Sequence, residues 1–415
     1  MTTFREQFEI PKRYNTLSLV LMAIGVLSIL ILLFTHGTSS NQHENARFWG
    51  SLLLNSVYFL LTVNASLFFI CATTLAWGGW QMSFRRVPEA IGACVPVIGV
   101  ISGVILLALL FGPNHSIYHW ADKDAVAHDP ILAHKVGFLN KPFFAIWTVI
   151  TIVGWSWLGK KMRTLSTQID DQPLSVEEGK RYIWKNTVWA ALYAVLFALT
   201  VLSSIPWFWL MSIDAHWYST MYSWYTFAST WVSGLALITL FVVYLKNNNY
   251  LELTSKEHLH DLGKFIFAFS IFWTYLWFSQ FMLIWYANIP EETIYFKPRV
   301  QGPYRTIFFL NLIINFLAPL LLLMKRATKR NYGTMTMMAL LVIFGHWLDF
   351  YQMVMPTAVA NPETGETYVP NMLPDIGIAL GFVGLILFVT GRALAKNSLL
   401  AKNHPFLKES IIHHT

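Results

Sequence analysis

His346 and Asp349, in the apolar run Phe344-Gly-His-Trp-Leu-Asp-Phe-Tyr351, are the residues whose types and spacing best suit proton transfer. Three positions apart, they share one face if the run is helical. Ionisable groups inside a bilayer are costly and face a cavity or a partner. An acid beside an imidazole there suits a proton relay, or hydrogen bonding to a quinol headgroup. His346 is the expected partner of the carboxylate, and the competing reading is a self-satisfied pair that fixes helix packing.

Other polar groups in apolar surroundings carry weaker signals. Asn64, with Asn55, Thr62 and Ser66, forms a polar stripe suited to interhelical hydrogen bonds or to a proton path. Ser279 and Gln280 form a shorter one. Asp214 and His216, in Met211-Ser-Ile-Asp-Ala-His-Trp-Tyr-Ser-Thr220, have the chemistry for the mouth of an exit path, or for capping a surface turn. Asp375 opens an apolar stretch, where an acid serves as a cap and complements the helix dipole. His115 and His119 are four apart in a loop rich in His and Asp, but the neighbouring Tyr118 and Trp120 suggest an interfacial belt rather than a metal site. Cys71 and Cys94 lack metal-ligand or cluster spacing and read as small core residues.

These groups are positioned by ten apolar stretches, near 17-34, 52-77, 91-111, 143-158, 183-210, 221-245, 265-287, 306-324, 334-355 and 373-395. About 20 residues of helix cross a ~30 Å hydrocarbon layer, so the chain is expected to be an all-α, polytopic membrane protein forming a single integral membrane domain over residues 1-415. Its 55% apolar and 12% charged residues agree with that class. The segments on the side of the two termini hold 22 of the 29 basic residues, which predicts that both termini are cytoplasmic. The formal net charge of +7 then reflects topology and lipid contact, with no nucleic acid implied. The first apolar stretch lacks a small-residue cleavage site and is read as a retained helix. Within the spans, Gly99 and Gly103 predict a close helix approach, and Pro96, Pro206 and Pro319 predict kinks.

Function classes narrow accordingly. No nucleotide-binding fingerprint occurs, which removes an ATP-driven pump. Only His346 lies deep in a span, which argues against facing haem ligands. A stand-alone secondary transporter and a purely structural scaffold stay open.

Three stretches resemble a known family. Phe278-Ser-Gln-Phe-Met-Leu-Ile-Trp-Tyr-Ala-Asn-Ile-Pro-Glu-Glu-Thr293, Met211 to Thr220, and Leu139-Asn-Lys-Pro-Phe-Phe144 are similar to segments of ActF-type subunits of alternative complex III. Those subunits belong to the NrfD or polysulfide-reductase-C family, and the resemblance covers essentially residues 14 to 395. It implies two four-helix bundles with two further helices alongside, in a subunit of a quinol:cytochrome c (or other acceptor) oxidoreductase of the bacterial inner membrane. The implied partners are a related ten-helix quinol subunit, an iron-sulfur protein and c-type cytochromes. Haem c and iron-sulfur clusters then belong to those partners, with no redox cofactor or metal in this chain.

Quinol-handling members carry Trp-x-Glu-Arg-aromatic on the ninth helix, which here reads Trp347-Leu-Asp349-Phe350-Tyr351. The acid is kept and the arginine is absent. An arginine expected near position 147 is replaced by Trp147, and the fourth stretch has no carboxylate. The resemblance therefore implies support for proton translocation or for assembly of the quinol site. Asp349, His346, Asp214, His216 and Asn64 are the relay candidates; quinol remains a candidate ligand with no binding residues assigned.

Overall fold

In a computed structural model of the chain, which describes residues 5–39, 42–112, 117–170, 173–361 and 364–414, the regular structure is helical, with no strand among the described residues. Ten helices are long and apolar enough to cross a membrane: α1 Lys12–Gly37, α2 Glu44–Leu75, α3 Arg86–Phe111, α4 Lys141–Thr167, α5 Val176–Ile213, α6 Tyr222–Asn247, α7 Lys256–Ala287, α8 Arg305–Leu323, α9 Tyr332–Ala358 and α10 Leu373–Lys396. They coincide with the ten expected stretches, but several run further. Charges assigned by hydropathy to loops, among them Arg47, Glu89, Lys160 and Arg163, therefore sit on helices.

α2 is the central helix and contacts α3, α5, α6, α9 and α10. α4 packs on α3 and α5, α7 on α6 and α8, and α9 on α6 and α8. α1 lies along α10, and only 22% of its apolar window is buried in the protein, against 94% for α2. Most of α1's apolar surface thus needs lipid or another chain.

Sequence explains the close approaches. Ile152 of α4 fills the gap left by Gly99 and Gly103, where a Cβ on Gly99 would lie 2.8 Å from Ile152 Cγ2. Gly25 and Gly381 bring α1 and α10 into backbone contact, since a Cβ on Gly25 would lie 2.4 Å from the Gly381 Cα. Gly381→Leu should therefore force the two helices apart and cost about 3 kcal/mol, the upper range of overpacking. Gly137→Leu, in open space, should stay within about 0.5 kcal/mol. Thermal unfolding of the two variants measures the difference.

The prolines mark breaks, as expected. Pro96 opens a new helical segment after an interruption at Ala93 and Cys94. Pro206 and Pro319 each follow a widened π turn, Thr200–Ser204 in α5 and Ile313–Leu317 in α8. Proline has no N–H to offer, so carbonyls one turn earlier need other donors. Within the widened turn of α5, the Ser203 and Ser204 hydroxyls both donate to Leu199 O, at 2.6 and 2.7 Å. Cys71 and Cys94 are both buried and unpaired.

The C-terminal segment folds back on the face bearing both termini. Leu399 N donates to Glu6 O at 2.7 Å, and Ser410 Oγ donates to Trp80 O at 2.6 Å. His404 lies beneath Tyr182 and accepts from Phe406 N at 3.2 Å. Burial, with Arg85 and Arg86 nearby, pushes the His404 imidazole down from 6.5 to about 3. The unfolded chain then takes up a proton below pH 6.5 that the folded chain excludes, so stability falls as pH drops through that value. His404→Gln keeps an acceptor without that charge. Its loss of stability between pH 7 and 5 should be smaller than that of the unaltered protein by about 2 kcal/mol, measured by thermal unfolding.

Candidate proton-relay site

Asp349 is fully buried on α9, two and a half turns before the end of that helix on the face opposite the termini. Two helices position its donors. Tyr225, in the first turn of α6, donates its hydroxyl to Oδ1, and Trp273 of α7 donates Nε1–H to Oδ2 at 2.9 Å. Both carboxylate oxygens are thereby held. The expected pairing with His346 is not what forms. His346 Nδ1 shares a hydrogen bond of 3.0 Å with Ser229 Oγ of α6, and the imidazole meets the Trp273 ring edge-on at 5.4 Å. At i, i+3 the two side chains leave α9 in neighbouring directions, but each is captured by the hydroxyl facing it on α6. Trp273 touches both, so the acid and the imidazole are joined through the indole.

Beside Asp349 lies a cavity of about 20 Å³, lined also by Tyr225, Gln280, Tyr295, Arg299 and Gln352. It has room for about one water molecule and is too small for a quinone ring. Arg299 comes from the short helix Lys297–Val300 between α7 and α8. It is 3% exposed and donates Nε–H to Gln352 O at 2.9 Å, with a further bond to Tyr295 O. Its guanidinium lies 3.5 Å from the centre of the Tyr295 ring. An arginine thus shares the cavity with the acid, supplied by a different element. Residues 288–305 fall between two of the apolar stretches, where a basic residue is ordinary, so nothing in the pattern marked Arg299.

The other relay candidates occupy distinct positions. Asp214 accepts from Trp217 N at 3.4 Å and so caps a turn. It also acts on the cavity through Tyr295. Burial raises the Tyr295 phenol above its ordinary value, Arg299 opposes that rise, and Asp349 and Asp214 add to it. Tyr295 consequently stays a protonated phenol at neutral pH, with its ring stacked on Trp217 at 4.1 Å. His216 instead reaches Asp129, Nε2 to Oδ2 at 2.5 Å, on the surface. Asp129 caps the helix Pro130–Lys135, and the His216 hydrogen bond together with the backbone amides of Leu132 and Ile131 holds its carboxyl below the usual range.

Asn64, fully buried on α2, accepts from the Tyr193 hydroxyl of α5 and bonds away from Asp349. Asn55 accepts from Trp347 Nε1 at 2.9 Å, tying α2 to α9. The two asparagines of the stripe thus serve as interhelical links, while Ser66 Oγ bonds back to Val63 O within α2. Gln280 donates to Ser219 Oγ at 3.0 Å, which fastens the Met211–Thr220 segment over the cavity.

Two sequence readings change. Asp375 does more than open α10: fully buried, it forms an ion pair with Arg47 of α2, whose Nη2 also donates to Asn371 O at 2.9 Å. Tyr118 and Trp120 do not form an exposed belt. Both are buried against Phe144, and the Tyr118 hydroxyl donates to Trp209 O at 2.8 Å. Among the described residues no three His, Cys, Asp or Glu side chains converge as a metal site requires. His115 lies outside the described residues.

No protein-family model matches the chain, and no curated protein matches it.

Proposed function

We propose that this chain is an integral membrane subunit of a respiratory quinol:acceptor oxidoreductase complex that carries no redox cofactor and moves protons through the Asp349 site. The observation that carries the reading is a fully buried carboxylate, held by a phenol and an indole, that shares a one-water cavity with a buried arginine. Such an assembly is costly in a membrane protein, and its chemistry is that of a proton carrier.

The parts divide the work. The Tyr225 hydroxyl and Trp273 N–H fix both carboxylate oxygens and stabilise the anion left when a proton departs. Arg299 lines the same space, held there by its bonds to the Gln352 and Tyr295 carbonyls. Water is the mobile proton acceptor that the cavity fits. Tyr295, between Arg299 and the electrostatic reach of Asp214, extends the polar track toward the face opposite the termini. The size of the cavity favours proton movement over quinol binding at this position, which leaves quinol oxidation, haem c and iron-sulfur clusters to partner chains.

The family reading draws support from helix neighbours. α2 to α5 and α6 to α9 each pack as adjacent sets, as two four-helix bundles would, with α1 and α10 alongside. The short motif Leu139 to Phe144 acquires a local role, since Asn140 caps α4 by accepting from Phe143 N at 2.9 Å, with Pro142 in the first turn. By the distribution of basic residues, the face bearing the termini is cytoplasmic, in a bacterial inner membrane. Asp349 then lies in the outer half of the bilayer.

Mild detergent extraction followed by native-gel separation tests the assignment. The chain should migrate with c-type haem and iron-sulfur proteins and with quinol-oxidising activity. Migration alone, with transport activity in vesicles, would contradict it and favour the transporter.

A further inference from the structure

On the face bearing the termini, α3, α4 and α10 enclose a groove of about 920 Å³ that opens toward the membrane. Its upper wall is apolar: Val100, Val153 and Trp157 are 63%, 59% and 57% exposed. Its rim is cationic. Lys160 and Arg163 are three apart on α4, and Arg392 and Lys396 are four apart on α10, so each pair faces the groove from one side. Arg163 Nη2 donates to Ala393 O at 2.7 Å and fixes the spacing of the two helices. Glu89, the single carboxylate in the lining, is already engaged by Arg85 and Arg86, at 3.0 Å each. The positive field of the rim is therefore not cancelled from within.

We propose that this groove holds an anionic phospholipid of the adjacent leaflet, its phosphate between the cationic ends of α4 and α10 and an acyl chain along Val100, Val153 and Trp157. Charge complementarity selects the occupant. Four cations at a helix-end rim above an apolar wall match a headgroup that bears net negative charge on an apolar tail. A zwitterionic lipid would place its own ammonium among those cations, and a free anion would leave the apolar wall uncovered. The bound lipid would fasten α10, and with it α1, to the rest of the protein.

Native mass spectrometry of the full-length protein tests this, after delipidation and reloading with phosphatidylglycerol or phosphatidylcholine of identical acyl chains. Phosphatidylglycerol should be retained in preference. The variant Lys160→Gln/Arg392→Gln/Lys396→Gln should bind it about 100-fold more weakly, from three charges worth about fivefold each, with phosphatidylcholine binding unchanged. The variant Lys161→Gln/Lys180→Gln/Lys185→Gln removes the same charge outside the groove, where Lys161 lies over Trp189, and should bind as the unaltered protein does. Equal retention of the two lipids, equal binding by the two variants, or displacement of the lipid by inorganic phosphate alone would overturn the proposal.

Discussion

Asp375→Ala should sharply lower the yield and thermal stability of the folded protein, by roughly 3–5 kcal/mol, because it strands the Arg47 guanidinium in a buried site. Arg47 is 2% exposed, and its carboxylate partner is fully buried. Its remaining acceptors, Ser51 Oγ and the Asn371 carbonyl, are neutral. Arg47→Ala should do similar damage by leaving Asp375 at the start of α10, with only the helix dipole to favour its charge. The double variant Arg47→Met/Asp375→Leu removes both charges and should recover most of the loss. Thermal unfolding in detergent across the three variants reads the coupling between α2 and α10. Equal stability of Asp375→Ala and the unaltered protein would show that the pair does not tie the two helices together.

How far the sequence disclosed this arrangement depended on which kind of signal each residue carries. The ten helices were legible because apolar length is a property of a continuous segment. Asp349 stood out for a related reason: an acid inside such a segment is rare and costly. Its partners were not legible. Tyr225 and Trp273 belong to helices whose rotation about their own axes is set by packing, and tyrosine and tryptophan are common in any span. His346 was the nearest candidate along the chain, yet α6 presents Ser229 to it.

Arg47 was hidden by a boundary. The second stretch was expected to start near 52, while α2 begins at Glu44, so a buried cation on the helix read as a loop charge. Arg299 was hidden by context, since it lies outside any span and enters the cavity through a short helix. Lys160 and Arg163 repeat the boundary case: α4 continues to Thr167, well past the apolar stretch that announced it.

The second large effect is expected at Asp349. In Asp349→Asn the side-chain oxygen can still accept from Trp273 Nε1–H, and the amide can donate to the Tyr225 oxygen once that hydroxyl turns its own proton away. Shape and both contacts survive, so the protein should fold and assemble. The exchangeable proton does not survive. Proton transfer through the site should fall by about 100-fold, the lower range for loss of a positioned acid–base group. A scaffold reading predicts instead that this neutralisation is harmless.

Proton release during quinol oxidation, followed with a pH indicator on the assembled complex in sealed liposomes, therefore bears most directly on the proposed role. With Asp349→Asn present at the unaltered level of assembled complex, proton release coupled to quinol oxidation should be nearly abolished. Unaltered turnover and proton release by that complex would contradict the account.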